Sequence, residues 1–68
     1  MFIEIHNKNI KDNNNECFVN VEQISYIIKL RDGTAQIRFS GESLFSSIET
    51  VESYDKVKAM IGVEKDEL

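Results

Sequence analysis

The side chains able to do chemistry are few and dispersed, since the chain has one histidine and one cysteine. His6 follows Glu4 at the two-residue spacing that puts alternate side chains on one face of a strand. An imidazole beside a carboxylate can serve as a general base. A working site needs more: a nucleophile with its base, paired carboxylates in a concavity, or a full set of metal ligands. Nothing near His6 in the sequence supplies these, so it reads as a surface histidine on an edge strand. Cys17, next to Phe18 and Val19, reads as a small hydrophobe. A lone cysteine closes no disulfide within the chain and, with one histidine, makes no Cys/His zinc set. The carboxylates Glu49, Glu52, Asp55, Glu64, Asp66 and Glu67 gather toward the C-terminal third, as a solvated acidic face would. Gly33, Gly41 and Gly62 are too scattered to cradle a phosphate. The sequence therefore assigns no catalytic, cofactor-binding or metal-ligating residue. It predicts a protein that is not an enzyme, with no cofactor and no small-molecule substrate.

What must position any functional surface is a single small domain. Sixty-eight residues, 41% of them hydrophobic and 29% charged, suffice for one thin core. Domains of this size are usually supported by a disulfide, a metal, very good packing or a partner subunit. With the first two missing from the sequence, self-association is the expectation. Eight Lys and Arg against twelve Asp and Glu give a net charge of −4, which offers no bulk attraction to nucleic acid or to an anionic membrane. The N-terminal stretch from Met1 turns polar by Asn7, and no apolar run approaches the roughly 20 residues that span a bilayer. A cytoplasmic location is expected. Lys65-Asp66-Glu67-Leu68 spells a retention address read only inside the endoplasmic-reticulum lumen. Without an entry signal, residues 64–68 read as an acidic flexible tail after a domain spanning 1–63.

Within that domain, turn residues and alternation define the elements. Asp32-Gly33 lies between two alternating runs and signals a tight hairpin. A two-residue turn there sets Leu30 against Ala35, Ile28 against Ile37 and Tyr26 against Phe39 on the inner face. Arg31 then faces Thr34, Lys29 faces Gln36 and Ile27 faces Arg38 on the outer one. Gly41-Glu42 offers a second tight turn, which sets Phe39 against Leu44, Ile37 against Ser46 and Ala35 against Ile48, with Arg38 meeting Phe45 outside. The middle of the chain thus reads as a meander over residues 23–31, 34–40 and 43–50. Phe2–His6 and Cys17–Val21 also alternate, and the Asn13-Asn14-Asn15 run between them reads as a polar loop. After Val51 the period changes. Ser53 can cap a helix, Tyr54, Val57, Met60 and Ile61 line one face of it, and Gly62 stops it. The predicted fold is α+β: an antiparallel meander sheet of four to five strands with one C-terminal helix on its inner face.

The outer face breaks the expected pattern. Alternation places Ile3, Ile5, Val19, Val21, Ile24, Tyr26, Ile28, Ile37, Phe39, Leu44 and Ile48 inside, but it also places Phe2, Phe18, Ile27 and Phe45 outside, where a solvated antiparallel face should be polar. Scattered surface hydrophobes are ordinary. A cluster of aromatics on a chain short of core instead marks an association surface. Phe2, Phe18, Ile27, Arg38 and Phe45 are the predicted interface, with Arg38 as an orienting contact beside Phe45. The function expected is a protein-interaction or accessory module that forms homo-oligomers through this face or a strand edge. The alternative draws on Lys29, Arg31 and Arg38, because cations beside exposed aromatics can hold single-stranded nucleic acid. The acidic total weighs against it.

The order of features resembles the small flagellar FlbD-like proteins: a strand with an Asn and a following Ile, a strand–Gly–strand hairpin, and a Glu-Ser entry to a short apolar helix. The matching stretches run Phe18-Val19-Asn20-Val21-Glu22-Gln23-Ile24, Ile37-Arg38-Phe39-Ser40-Gly41 and Glu52-Ser53-Tyr54-Asp55-Lys56-Val57, within residues 18–61. The chain departs from that pattern in its longer third strand around Ser46–Thr50 and its asparagine-rich loop. The resemblance implies no catalytic residues. Ile24-Ser25-Tyr26-Ile27 and the Asp32-Gly33 turn are also similar to LytTR-type DNA-binding domains, though this chain is shorter, and that likeness implies the nucleic-acid alternative.

Overall fold

The computed structural model describes residues 1–40 and 47–62. It is an α+β fold in which five antiparallel strands divide into two sheets, followed by one helix. Strands β1 (Phe2–His6) and β2 (Glu16–Asn20) pair as one two-stranded sheet. Strands β3 (Ile24–Lys29), β4 (Thr34–Phe39) and β5 (Ser47–Ser53) form a three-stranded sheet in that order. Helix α1 (Tyr54–Ile61) closes the described chain.

One core serves both sheets. Ile3 and Ile5 of β1, Val19 of β2, Ala35 and Ile37 of β4 and Val57 of α1 are buried together. Cys17, Val21, Ile24, Phe39, Ile48, Tyr54, Met60 and Ile61 pack around them. Alternation on each strand and the three- to four-residue spacing on the helix bring these side chains to a common interior. Helix α1 is fixed at both ends. The Ser53 hydroxyl accepts from the Lys56 N–H at 3.1 Å, and Gly62, at φ +87°, turns its N–H back to the Lys58 and Ala59 carbonyls.

The β3–β4 register corrects the sequence expectation. Leu30 closes the turn on both sides: its carbonyl accepts from the Gly33 N–H at 2.9 Å, and its N–H donates to the Thr34 carbonyl at 2.8 Å. Gly33 has φ +91°. This is a type I turn followed by a left-handed glycine, the geometry of a three-residue hairpin loop, and it moves the pairing by one residue. Ile27 now faces Ile37, Ile28 faces Gln36, Lys29 faces Ala35 and Tyr26 faces Arg38. A one-residue slip turns side chains to the other face, here from Tyr26 to Lys29, while the irregularity between Ile24 and Tyr26 keeps Ile24 at the core. Ile27 therefore packs against the core, while Tyr26 and Ile28 are exposed.

The β4–β5 register moves by two residues, which preserves faces: Ile37 stands opposite Ile48 rather than Ser46. Gly41-Glu42, Leu44 and Phe45 lie outside the described residues. Between Thr34 and Gln36 the ladder is interrupted, because Thr34 pairs with Ser53 while Gln36 pairs with Glu49. Thr50, fully buried, repairs this bulge with its side chain. Its hydroxyl accepts from the Ala35 N–H at 3.2 Å and lies 2.8 Å from the Glu52 carbonyl.

The two sheets meet at β1 and β5. Asn7 makes an antiparallel bridge with Thr50, and the Lys8 N–H donates to the Glu49 carbonyl at 2.8 Å. The Lys8 ammonium also reaches the β3–β4 turn, donating to Asp32 at 2.8 Å and to the Thr34 hydroxyl at 2.7 Å. A short 3₁₀ turn at Val21–Gln23 carries β2 into β3. The single four- to five-strand meander predicted from sequence is replaced by this two-plus-three arrangement. The segment from Asn7 to Asn15 connects β1 to β2, and among the described residues an isolated Asn7–Thr50 bridge joins the two sheets.

Candidate functional site

The outward face of β1 and β2 is the most distinctive surface among the described residues. The pleat sends Ile3, Ile5, Cys17 and Val19 inward, so Phe2, Glu4, His6, Glu16, Phe18 and Asn20 alternate with them on the other side. Phe18 stands opposite Glu4, and Phe2 stands opposite Asn20. The two phenylalanines are therefore diagonal neighbours, a spacing aromatic side chains can bridge. Phe2 is 64% exposed and Phe18 75%, and Met1 beside them is also exposed.

The same face carries the only histidine. His6 stands opposite Glu16 and two residues from Glu4. One ring nitrogen of His6 and one carboxylate oxygen from each glutamate lie within 4.8 Å of one another. Glu52 reaches in from the β5 bulge and holds His6 twice: one carboxylate oxygen accepts from the His6 backbone N–H at 3.0 Å, and the other lies 2.6 Å from Nδ1. The Glu52 side chain is only 10% exposed and that of His6 40%. The hydrogen bond to Glu52, helped by the negative charges of Glu52, Glu4 and Glu16, raises the His6 pKa above its ordinary 6.5, against a smaller opposing effect of burial. For Glu52, burial pushes the pKa up, but hydrogen bonds from the His6 ring and backbone and from its own backbone, with the charge of His6, together outweigh it and bring it below 4.5. An open recess of about 220 Å³, lined by Glu4, Glu16, Cys17 and Phe18, adjoins these groups.

The other predicted surface residues are dispersed. Arg38 is exposed and stands opposite Tyr26, which is 52% exposed, so a cation and an aromatic do share the outward side of the three-stranded sheet. Ile28 belongs to that surface, and Ile27 does not. Lys29 and Arg31 are exposed, but Lys29 stands opposite buried Ala35 and Arg31 lies in the turn. The pleat therefore does not gather Lys29, Arg31 and Arg38 on one face. Phe45 falls outside the described residues.

Sequence reasoning noticed His6 with Glu4 but missed Glu16 and Glu52. Alternation alone reveals the first pair. The other two contacts depend on the β1–β2 register and on the β5 bulge, neither of which has a local signal. No protein-family model, curated protein or solved structure matches the chain. No helix among the described residues is long and apolar enough to cross a membrane.

Proposed function

We propose that this chain is a small, non-enzymatic interaction module that associates first with a second copy of itself, through the outward face of β1 and β2. The observation that carries this reading is the pair Phe2 and Phe18, exposed side by side on a sheet whose opposite face already lies in the core. Burying one such side chain is worth about 1.5–3 kcal/mol. In a two-fold assembly both copies contribute the same pair, so four rings meet at one centre. Glu4, Glu16 and Asn20 supply the polar rim that such centres carry.

Tyr26 and Ile28, on the outward side of β3, form a second and smaller apolar surface. A nucleic-acid reading draws on Tyr26 opposite Arg38. It is the weaker reading, because the other cations lie elsewhere and affinity for nucleic acid grows with the number of phosphates neutralised.

The test is the mass in solution by light scattering or sedimentation over a wide concentration range. The wild type is expected to exceed monomer mass at high concentration, and Phe18→Glu to return it to monomer with an unchanged far-UV spectrum. A wild type that stays monomeric throughout defeats the reading. An oligomer broken by Tyr26→Glu but not by Phe18→Glu would move the interface to β3. Salt-sensitive oligonucleotide binding that is lost on Arg38→Ala would favour the nucleic-acid alternative.

A further inference from the structure

The histidine and its carboxylates on β1 and β2 carry an inference independent of self-association. Glu4 and His6 share a face because they are two residues apart on one strand, and Glu16 joins them because it stands opposite His6 on the next. The three donors are thus placed by ladder register, not by flexible loops. Among the described residues neither Glu4 nor Glu16 forms a salt bridge with a lysine or arginine.

A separate strand provides the second observation. Glu52, on β5 and almost wholly covered, takes the Nδ1 side of His6 at 2.6 Å. Histidines that bind metals are commonly held this way: a carboxylate on one ring nitrogen fixes the tautomer and orientation and makes the other nitrogen a better donor. With Nδ1 engaged, Nε2 is the nitrogen left to donate. The recess lined by Glu4, Glu16, Cys17 and Phe18 leaves room beside the carboxylates for water.

We propose that Glu4, His6 and Glu16 form a binding site for a divalent first-row transition-metal cation of the zinc type, with His6 Nε2 and one oxygen from each glutamate as protein ligands and water completing the shell. One imidazole and two carboxylates suit such an ion better than calcium or magnesium, which favour all-oxygen shells. Zinc bonds of about 2.0–2.2 Å put neighbouring donors roughly 3.4 Å apart in a tetrahedral shell. One ring nitrogen of His6 and one oxygen from each glutamate now lie within 4.8 Å of one another, and the ligand atoms have to draw closer still. Glu4 and Glu16 are exposed and can rotate to do so.

Zinc chloride titrated into the metal-free full chain, followed by calorimetry and by competition with a chromogenic chelator, tests this. The expected result is saturable binding near one zinc per chain. Glu4→Gln and Glu16→Gln should each weaken it at least about 10-fold, Glu52→Gln should weaken it by about 10-fold through the histidine, and Cys17→Ser should leave it unchanged. Glu4 and Glu16 are exposed, so their variants report on ligation without depending on the fold. Absence of saturable zinc binding, equal binding of magnesium, full retention in both the Glu4→Gln and Glu16→Gln variants, or loss in Cys17→Ser would each overturn the proposal.

Discussion

The two sheets contribute to the same core, but they are held by different means. The β3–β4 pair is organised locally: Asp32 accepts from the Thr34 N–H and hydroxyl within the turn, and Gly33 takes the left-handed conformation that the turn requires. The β1–β2 pair has no tight turn, since residues 7–15 separate its strands. It depends on distant contacts: Asn7 with Thr50, Lys8 with Glu49, Asp32 and Thr34, and His6 with Glu52. One sheet thus takes its register from a tight turn, whereas the other combines its own ladder, closed by the Asn7 N–H on the Asn15 carbonyl and the Val21 N–H on the Met1 carbonyl, with contacts to the sheet it docks on. The outward face of that dependent sheet also bears the phenylalanines and the histidine cluster, so its surface chemistry rests on long-range contacts.

The largest expected effect tests whether the sheets are thermodynamically separate. Ile5 of β1 and Ile37 of β4 are both fully buried in one cluster. Truncating either to alanine should cost about 2–5 kcal/mol, comparable with the roughly 3–5 kcal/mol a domain of this size can hold. Both Ile5→Ala and Ile37→Ala chains should be largely unfolded by circular dichroism. The milder Ile5→Val and Ile37→Val should each cost about 0.5–1.5 kcal/mol in a single denaturant transition. If Ile5→Ala instead left a cooperative transition for β3–β5, the dependence would run one way only.

A smaller effect is expected at the seam. Thr50 is fully buried, and its hydroxyl serves the Ala35 N–H where the β4–β5 ladder is interrupted. Thr50→Val keeps the shape but leaves that buried donor unpaired, at about 1–3 kcal/mol. Because Thr50 also makes the bridge to Asn7, hydrogen exchange should speed up in β1 as well as at Ala35. Faster exchange confined to β4 and β5 would show that the bridge does not transmit the change.

How much of this was readable beforehand follows from the same contrast. Strand Phe2–His6, the Ser53 cap and the Gly62 stop coincide with the structure because each has a local signal: alternation, a capping hydroxyl, a left-handed glycine. The β3–β4 register was ambiguous for a physical reason. Ile27 and Ile28 are adjacent, so either can face the core, and Asp-Gly serves both two- and three-residue loops. A two-residue loop places Ile28 at the core; the turn's hydrogen bonds place Ile27 there. The division into two sheets, and the arrival of Glu16 and Glu52 at His6, depend on contacts between residues far apart in sequence. Composition and periodicity do not encode them.

The smallest expected effect concerns pH, and it probes the His6–Glu52 contact between the sheets. His6 has a raised pKa in the folded state, through its hydrogen bond to Glu52, so its contribution to stability is complete below 6.5 and is lost as pH rises through the raised value. Glu52 has a lowered pKa, so its contribution is present above 4.5 and is lost as pH falls through the lowered value. Asp32 behaves in the same sense at still lower pH, held well below the ordinary carboxylate range by hydrogen bonds from Lys8 and Thr34. The denaturation midpoint should therefore be highest between about pH 4.5 and 6.5 and decline gently on both sides. Glu52→Gln removes the charge that holds the imidazolium and should flatten the decline on the alkaline side while leaving the Asp32 contribution at low pH. Because both partners touch solvent, the effect should also weaken at high salt. An alkaline decline that persists unchanged in Glu52→Gln would show that His6 does not tie β1 to β5 through its charge, leaving the Asn7–Thr50 bridge and the shared core to hold the sheets together.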